Sequence, residues 1–494
     1  MSPDGEGHPR RWAILAVLSA VAFMAQLDLF IVNVALPAMG QAFRDASLSN
    51  LSWVLNAYSI VFAALLVPAA RLADHHGRRR FLLVGVGIFT LASLVCALAP
   101  TLLVLVLGRV VQAVGAAMIV PTSLGLLLPA FAPRQHTLVV GIWAGVAAVA
   151  ASSGPPVGGL LVTLDWRWIF IVNLPIGAAI VLSGWNLLPE VRAERGARLP
   201  DPLSAGSVLA AIALFTLATV EGPVWGWTSA AELLLLVAAV AAAAISIWRT
   251  LTHPDALIEA ALFQSAQFSS AVLALFLFFV GFGAWLLMTV LFLQNAWGYS
   301  ALSSGLAIAP GPMTAAVFAV NSARVSARFG RRVPAVLGPL LVAAAGGFWL
   351  LFTPGDSDYL LRFMPGLILA GAGAGLTQAP LFAAASSLPA NRATTGSGVL
   401  NMARQTGSAL GVAILVALLA TAHPNELASY HRGWWFLIAA TLAAAGVSAF
   451  FGRGGIATVS RPVLVDWAPA ADARAARQVA LPARDSQTHR NRSR

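Results

Sequence analysis

The chain contains no lysine and a single cysteine, and charge of either sign is scarce: 10% of its 494 residues are charged. In a soluble chain roughly a quarter of the residues carry charge, and this length would give about three domains. So little charge cannot cover a water-facing surface, which excludes a soluble enzyme and a disordered chain alike. Without lysine the glycine loop that holds nucleotide phosphates cannot be completed, so uphill work must draw on an ion gradient rather than ATP. Cys96 sits inside an apolar run, which leaves neither a disulfide framework nor a thiolate metal cluster. No grouping of His, Cys and Asp has the spacing of metal ligands, and no cofactor is expected.

What the chain does have is apolar length. Hydrophobic residues make up 59% of it, and the mean hydropathy is +0.81. A bilayer-crossing helix needs about 20 mostly apolar residues. Fourteen such runs, broken by Pro, Gly or charge, fall at 12–36, 51–70, 81–99, 102–128, 138–162, 168–188, 204–221, 230–249, 267–293, 301–320, 334–353, 359–386, 394–419 and 432–452. Arg10 and Arg11 before the first run, and Ala20-Val21-Ala22 within it, imitate a cleavable signal. Its apolar stretch continues to Leu36-Pro37, so a retained helix is expected.

Arginine distribution sets the orientation, because cytoplasmic loops carry the positive charge. With the N-terminus inside, 24 of the 30 arginines fall in inside segments and 4 (Arg44, Arg167, Arg362 and Arg432) outside, while Arg109 and Arg404 fall within runs. That asymmetry supports an even number of spans with both termini cytoplasmic. The net charge of +11 belongs to short loops and the tail, which suits anionic lipid headgroups and not nucleic acid. The expected fold is an all-α integral membrane protein of fourteen transmembrane helices. A cytoplasmic N-terminus, 1–11, precedes a six-helix bundle at 12–188. A linker at 189–266 carries two additional helices, and a second six-helix bundle spans 267–452. The polar tail at 453–494 has no long apolar stretch, and disorder is expected there.

Two inside loops are alike. One reads Arg71-Leu72-Ala73-Asp74-His75-His76-Gly77-Arg78-Arg79-Arg80, the other Arg324-Val325-Ser326-Ala327-Arg328-Phe329-Gly330-Arg331-Arg332. Internal repetition of this kind is expected of transporters built from repeated helix bundles. Further motifs follow in order: Leu27-Asp28-Leu29-Phe30-Ile31-Val32-Asn33-Val34-Ala35-Leu36-Pro37 on the first run, and Gly108-Arg109-Val110-Val111-Gln112-Ala113-Val114-Gly115 on the fourth. The fifth carries Gly154-Pro155-Pro156-Val157-Gly158-Gly159, and Trp166-Arg167-Trp168-Ile169-Phe170-Ile171-Val172-Asn173-Leu174-Pro175-Ile176-Gly177 comes next. The thirteenth holds Asn401-Met402-Ala403-Arg404-Gln405-Thr406-Gly407.

Through these motifs residues 12–452 resemble the major facilitator superfamily, and within it the fourteen-helix drug:proton antiporter family. Ala70 and Ala113 stand where that pattern usually has Gly. The resemblance implies a proton-coupled exporter of hydrophobic or amphipathic small molecules in a bacterial cytoplasmic membrane, not an enzyme, working as a monomer. Uptake or export of one defined nutrient, and a membrane sensor that moves nothing, are the alternatives. The intact motif on the fifth run speaks against uptake.

Asp28 is the most informative residue: of the nineteen acids it alone lies deep inside a run. A carboxylate at that depth faces a cavity or a partner. Desolvation favours the neutral acid and a nearby cation favours the carboxylate, so a site balanced between them can load and release a proton. The alternative is a permanent ion pair that only ties helices together. Asp28 lies sixteen residues from the inner start of its helix, about 24 Å in at 1.5 Å per residue. Arg109 lies seven residues from the outer start of the fourth, about 10 Å down. In a membrane of about 30–40 Å the two depths nearly coincide, so Asp28 is expected as the proton site, Arg109 as its electrostatic switch and Gln112 as a polar neighbour.

Asp74 can cap backbone N–H groups of an adjacent helix. The resemblance implies that this loop latches the two halves when the cavity opens outward, with Gly77 turning the chain and Arg78 orienting the acid. Ordinary topogenic charge is the alternative for the arginines. Gly154, Pro155, Gly158 and Gly159 permit close helix contact and a bend, and by resemblance seal the interface against proton leak. Arg404 has no acid at a matching depth; binding an anionic substrate group, bonding backbone carbonyls and snorkelling are all open to it. Phe268, Phe276, Phe278, Phe279, Phe282, Trp285 and Phe292 cover every face of the ninth helix and give no single drug-binding stripe. Asn33, Trp53, Tyr58 and Gln112 join Arg404 as expected cavity residues.

Overall fold

The computed structural model describes residues 8–44, 46–132, 135–191, 201–253, 255–352, 358–420 and 427–450. The tail expected at 453–494 lies outside them, as do residues 192–200 of the linker. Among the described residues the fold is all α, without a strand. Its helices are α1 (Arg11–Ala42), α2 (Leu48–His76), α3 (Arg78–Ala97), α4 (Leu102–Leu127) and α5 (His136–Val162). Next come α6 (Trp168–Leu187), α7 (Pro202–Trp225), α8 (Ala230–Thr252), α9 (Ala266–Leu291) and α10 (Ala301–Phe329). The last are α11 (Arg332–Phe352), α12 (Tyr359–Ala385), α13 (Ala390–Ala420) and α14 (Leu427–Ser448). Among the described residues 13 helices, α1 to α13, are long and apolar enough to cross a membrane. The fourteenth run falls on α14, a 22-residue helix whose first turns hold His431 and Arg432, which dilutes its apolar stretch.

Local chemistry fixes the helix ends. Ser47, Thr101, Asp201, Ser229, Ser265 and Ser300 each accept a hydrogen bond from the N–H three residues on, satisfying a donor that the first turn would otherwise leave free. Gly77 and Gly330 end α2 and α10 at φ +102° and +82°, a conformation that favours glycine. The two similar loops thus turn in the same way.

Helix pairing repeats as well. α1 packs on α5 and α6, α2 on α4, and α3 on α4 and α6; eight helices later, α9 packs on α13 and α14, α10 on α12, and α11 on α12 and α14. Between the two sets, α2 meets α13 and α5 meets α10. α7 lies against α2 and α13, with α8 behind it. Ala63 and Val67 of α2, Val208 of α7, Met402 of α13 and Leu257 form an apolar cluster along that seam. α3 and α4 approach closely because of two glycines: a Cβ at Gly108 would stand 2.7 Å from Cys96 Sγ, and one at Gly115 2.7 Å from the Phe89 nitrogen. This contact sets the register of Arg109 and Gln112 against Ser93.

Candidate functional site

Asp28 lies on α1, and Arg109 and Gln112, three residues apart, share one face of α4. The Asp28 carboxylate accepts hydrogen bonds from Arg109 Nη1 at 2.6 Å, Gln112 Nε2 at 2.8 Å and Asn173 Nδ2 at 3.2 Å. Arg109 Nη1 also donates to Gln112 Oε1 at 2.6 Å, and its Nε to the Val54 carbonyl at 3.1 Å. Ser93 Oγ accepts from Gln112 Nε2 at 2.8 Å. The guanidinium stacks over the Tyr58 ring, 4.1 Å from its centroid. Side-chain exposure is 0% for Asp28 and 1% for Arg109, so each charge depends on the other and on these bonds for its solvation. Asn173 is the member that sequence reasoning passed over. Its signal was an amide inside the apolar run before Pro175.

Beside this cluster lies a cavity of about 1100 Å³, running from the level of Arg109 to the end that bears Asp74 and Arg78. Asn33 and Arg404 line it. Trp53, Tyr58 and Gln112 do not, which corrects the expectation for all three. Tyr58 and Gln112 are consumed in holding Arg109 at the wall, and Trp53 is half-buried on α2 away from the lining. Of the α9 aromatics, Phe279, Phe282 and Trp285 reach the cavity, while Phe268, Phe278 and Phe292 are packed in the core.

The opposite end is closed by backbone contact. A Cβ on Gly154 would stand 2.7 Å from Phe30 Cβ, one on Gly158 3.0 Å from the Ile31 carbonyl, and one on Gly159 2.5 Å from the Ala301 carbonyl. The Pro155 carbonyl abuts Gly305. α5 is therefore wedged between α1 and α10, and Gln294 Nε2 adds bonds to the Val34 carbonyl at 3.2 Å and Ser304 Oγ at 2.9 Å.

At the open end, Arg78 Nε donates to Asp74 Oδ1 at 2.6 Å and its Nη1 to the Gly125 carbonyl at 2.7 Å. Asp74 thus faces its own loop and α4 in this state. Nearby, Glu259 joins Arg71 of α2 (3.3 Å) to Arg392 of α13 (3.1 Å), a bridge between the two helix sets supplied by the segment after α8.

The sequence profile described as the Major Facilitator Superfamily matches residues 18–412. The chain belongs to the major facilitator superfamily. It is 36% identical over 401 residues to the multidrug resistance protein Stp of Mycobacterium tuberculosis, covering 81% of this chain and 74% of that one. It is 34% identical over 434 residues to the tetracenomycin C resistance and export protein of Streptomyces glaucescens, covering 85% and 79%. It is 33% identical over 471 residues to a probable actinorhodin transporter of Streptomyces coelicolor, covering 90% and 80%. The fold resembles the crystal structure of an inward-facing bacterial homologue of the lysosomal transporter Spinster, with a TM-score of 0.61 at 18% identity over 90% of this chain and 96% of that one. A D-xylose–proton symporter gives 0.61 at 14% identity, covering 88% and 97%. Like its relatives in this superfamily, the chain is a multi-pass protein of the bacterial cytoplasmic membrane.

Proposed function

We propose that this superfamily member is a proton-driven antiporter that exports hydrophobic or amphipathic small molecules, such as antibiotics and secondary metabolites. The observation that carries the reading is the fully buried Asp28–Arg109 pair set beside a central cavity. Protonation of Asp28 removes the counter-charge of Arg109 and takes the neutral pair to a net charge of +1, which gives the two ends of the cavity a switch to follow. The relatives' names, a multidrug resistance protein, a tetracenomycin C resistance and export protein and a probable actinorhodin transporter, favour export. In this reading fourteen helices cross the membrane with both termini cytoplasmic, as bundles at 12–188 and 267–452 joined by α7 and α8, and a monomer suffices. The cavity, open at the arginine-rich end, is then inward-facing. Closure of that end brings Asp74 to the opposite bundle as a latch.

Everted membrane vesicles test the reading. Export predicts that a substrate accumulates in the acidified lumen and that a protonophore abolishes the accumulation. Accumulation indifferent to the protonophore would remove proton coupling. Binding without any movement would favour a sensor.

A further inference from the structure

Charge on the cavity wall is unbalanced. Five charged side chains line it: Arg71, Asp74, Arg78, Arg109 and Arg404. Three of the arginines have a carboxylate, Arg71 with Glu259 at 3.3 Å, Arg78 with Asp74 at 2.6 Å and Arg109 with Asp28 at 2.6 Å. Arg404 has none among the described residues. Its guanidinium lies 5.8 Å from the centroid of the Phe279 ring, and its Nε is buried without a hydrogen-bond partner. Trp143 Nε1, Trp285 Nε1 and Gln405 Nε2, also on this wall, are buried and unpartnered in the same way. All four are N–H donors, and among the described residues the wall has no unpaired buried acceptor. These four nitrogens lie just beneath the lining of one cavity, and buried donors without partners are what an acceptor-rich ligand satisfies once the side chains rotate to meet it. A cation would meet an uncompensated guanidinium instead.

We propose that the cavity binds acidic, oxygen-rich aromatic compounds, carboxylic acids or ionised phenols, with Arg404 pairing the anionic group. Trp143, Trp285 and Gln405 turn their N–H groups out of the wall to the remaining oxygens, and Phe279 and Phe282 supply the apolar wall for the ring. The assignment rests on the export reading and names its substrate class.

The probes are anthraquinone-2-carboxylate and its neutral analogue anthraquinone-2-carboxamide, in equilibrium dialysis against the full-length protein in lipid nanodiscs. The carboxylate should bind about tenfold more tightly than the amide, the scale of one charge-assisted pair. Arg404→Gln should erase that preference by weakening the carboxylate about tenfold more than the amide, and Arg404→Lys should keep most of it. Trp285→Phe, which removes one donor and no charge, should weaken both probes by about threefold, near the lower end for a neutral bond, and gives a second test if Arg404→Gln fails to fold. Equal binding of the two probes by wild type, binding of neither, or equal losses on Arg404→Gln would overturn the proposal. Uphill export in vesicles with no anion preference in binding removes this inference and leaves the export reading. Anion-selective binding without proton-dependent transport does the reverse.

Discussion

Replacing Asp28 with Asn keeps the shape of the side chain and removes its charge. The native carboxylate accepts from Arg109, Gln112 and Asn173, so an amide NH2 there would face donors. Arg109, 1% exposed, would lose the carboxylate that pairs it. Breaking a buried pair from one side costs about 3–5 kcal/mol. Arg109 keeps the Val54 carbonyl at 3.1 Å, Gln112 Oε1 at 2.6 Å and the Tyr58 face at 4.1 Å, which places the loss at the lower end, about 3 kcal/mol. Replacing both partners, Asp28→Asn with Arg109→Gln, leaves no unpaired charge. The double variant should recover about 2 kcal/mol relative to the sum of the single changes. Denaturant titration of the four proteins in micelles gives the cycle, and vesicle transport of the same four gives the function. If Asp28 carries the proton, the double variant regains stability but stays uncoupled. A double variant that pumps uphill as well as wild type would refute the reasoning and reduce the pair to a clamp.

Gly159→Val should force α5 away from α10, where its Cβ meets the Ala301 carbonyl at 2.5 Å, and favour the state open at that end. Labelling of a cysteine placed at Ser304, in a Cys96→Ser background, should then rise; unchanged labelling in an active pump would count against the seal. Gly77→Ala combines φ +102° with a contact 2.6 Å from Glu190 Oε1 and should cost about 1–3 kcal/mol. Gly226→Ala, at φ +84° in open space, should cost less, about 1 kcal/mol; equal losses in thermal unfolding would show that the Glu190 contact is irrelevant. Arg249, 2.8 Å from Asp201 Oδ2, holds that carboxyl down at about 2. A lowered value means that the clasp between α7 and the end of α8 is complete above the ordinary carboxylate range near pH 4 and is lost as pH falls through about 2. Hydrogen exchange at the start of α7 should therefore show no loss of protection beyond the intrinsic trend across assay pH in wild type, and lower protection at every pH in Asp201→Asn.

The ion pair was legible because two numbers sufficed: the depth of Asp28 on one helix and of Arg109 on another. Both charges are rare in apolar runs, so few partners were available. The cavity wall was not legible to the same degree. Tyr58 looked like a cavity residue because it is polar and mid-helix, but only tertiary packing turns its ring onto Arg109. The α9 aromatics cover every face, and the face that meets the cavity depends on the α10 and α13 contacts. Glu232 near the start of α8 is fully buried too, which a place at the start of an apolar run does not reveal. The contribution of α7, which lines the α2–α13 seam, left no mark in the sequence, since an apolar helix reads the same against lipid and against protein.

The most direct test of the coupling claim is proton release on substrate binding, followed by a pH dye in weakly buffered purified protein. A compound shown to be exported in vesicles is added to wild type and to Asp28→Asn at a pH where the binding site is partly protonated. The account predicts protons released by wild type and none by the variant, although both bind the compound. Equal release from the two proteins, or binding by wild type that releases none at any pH, would contradict Asp28 as the residue where substrate and proton compete.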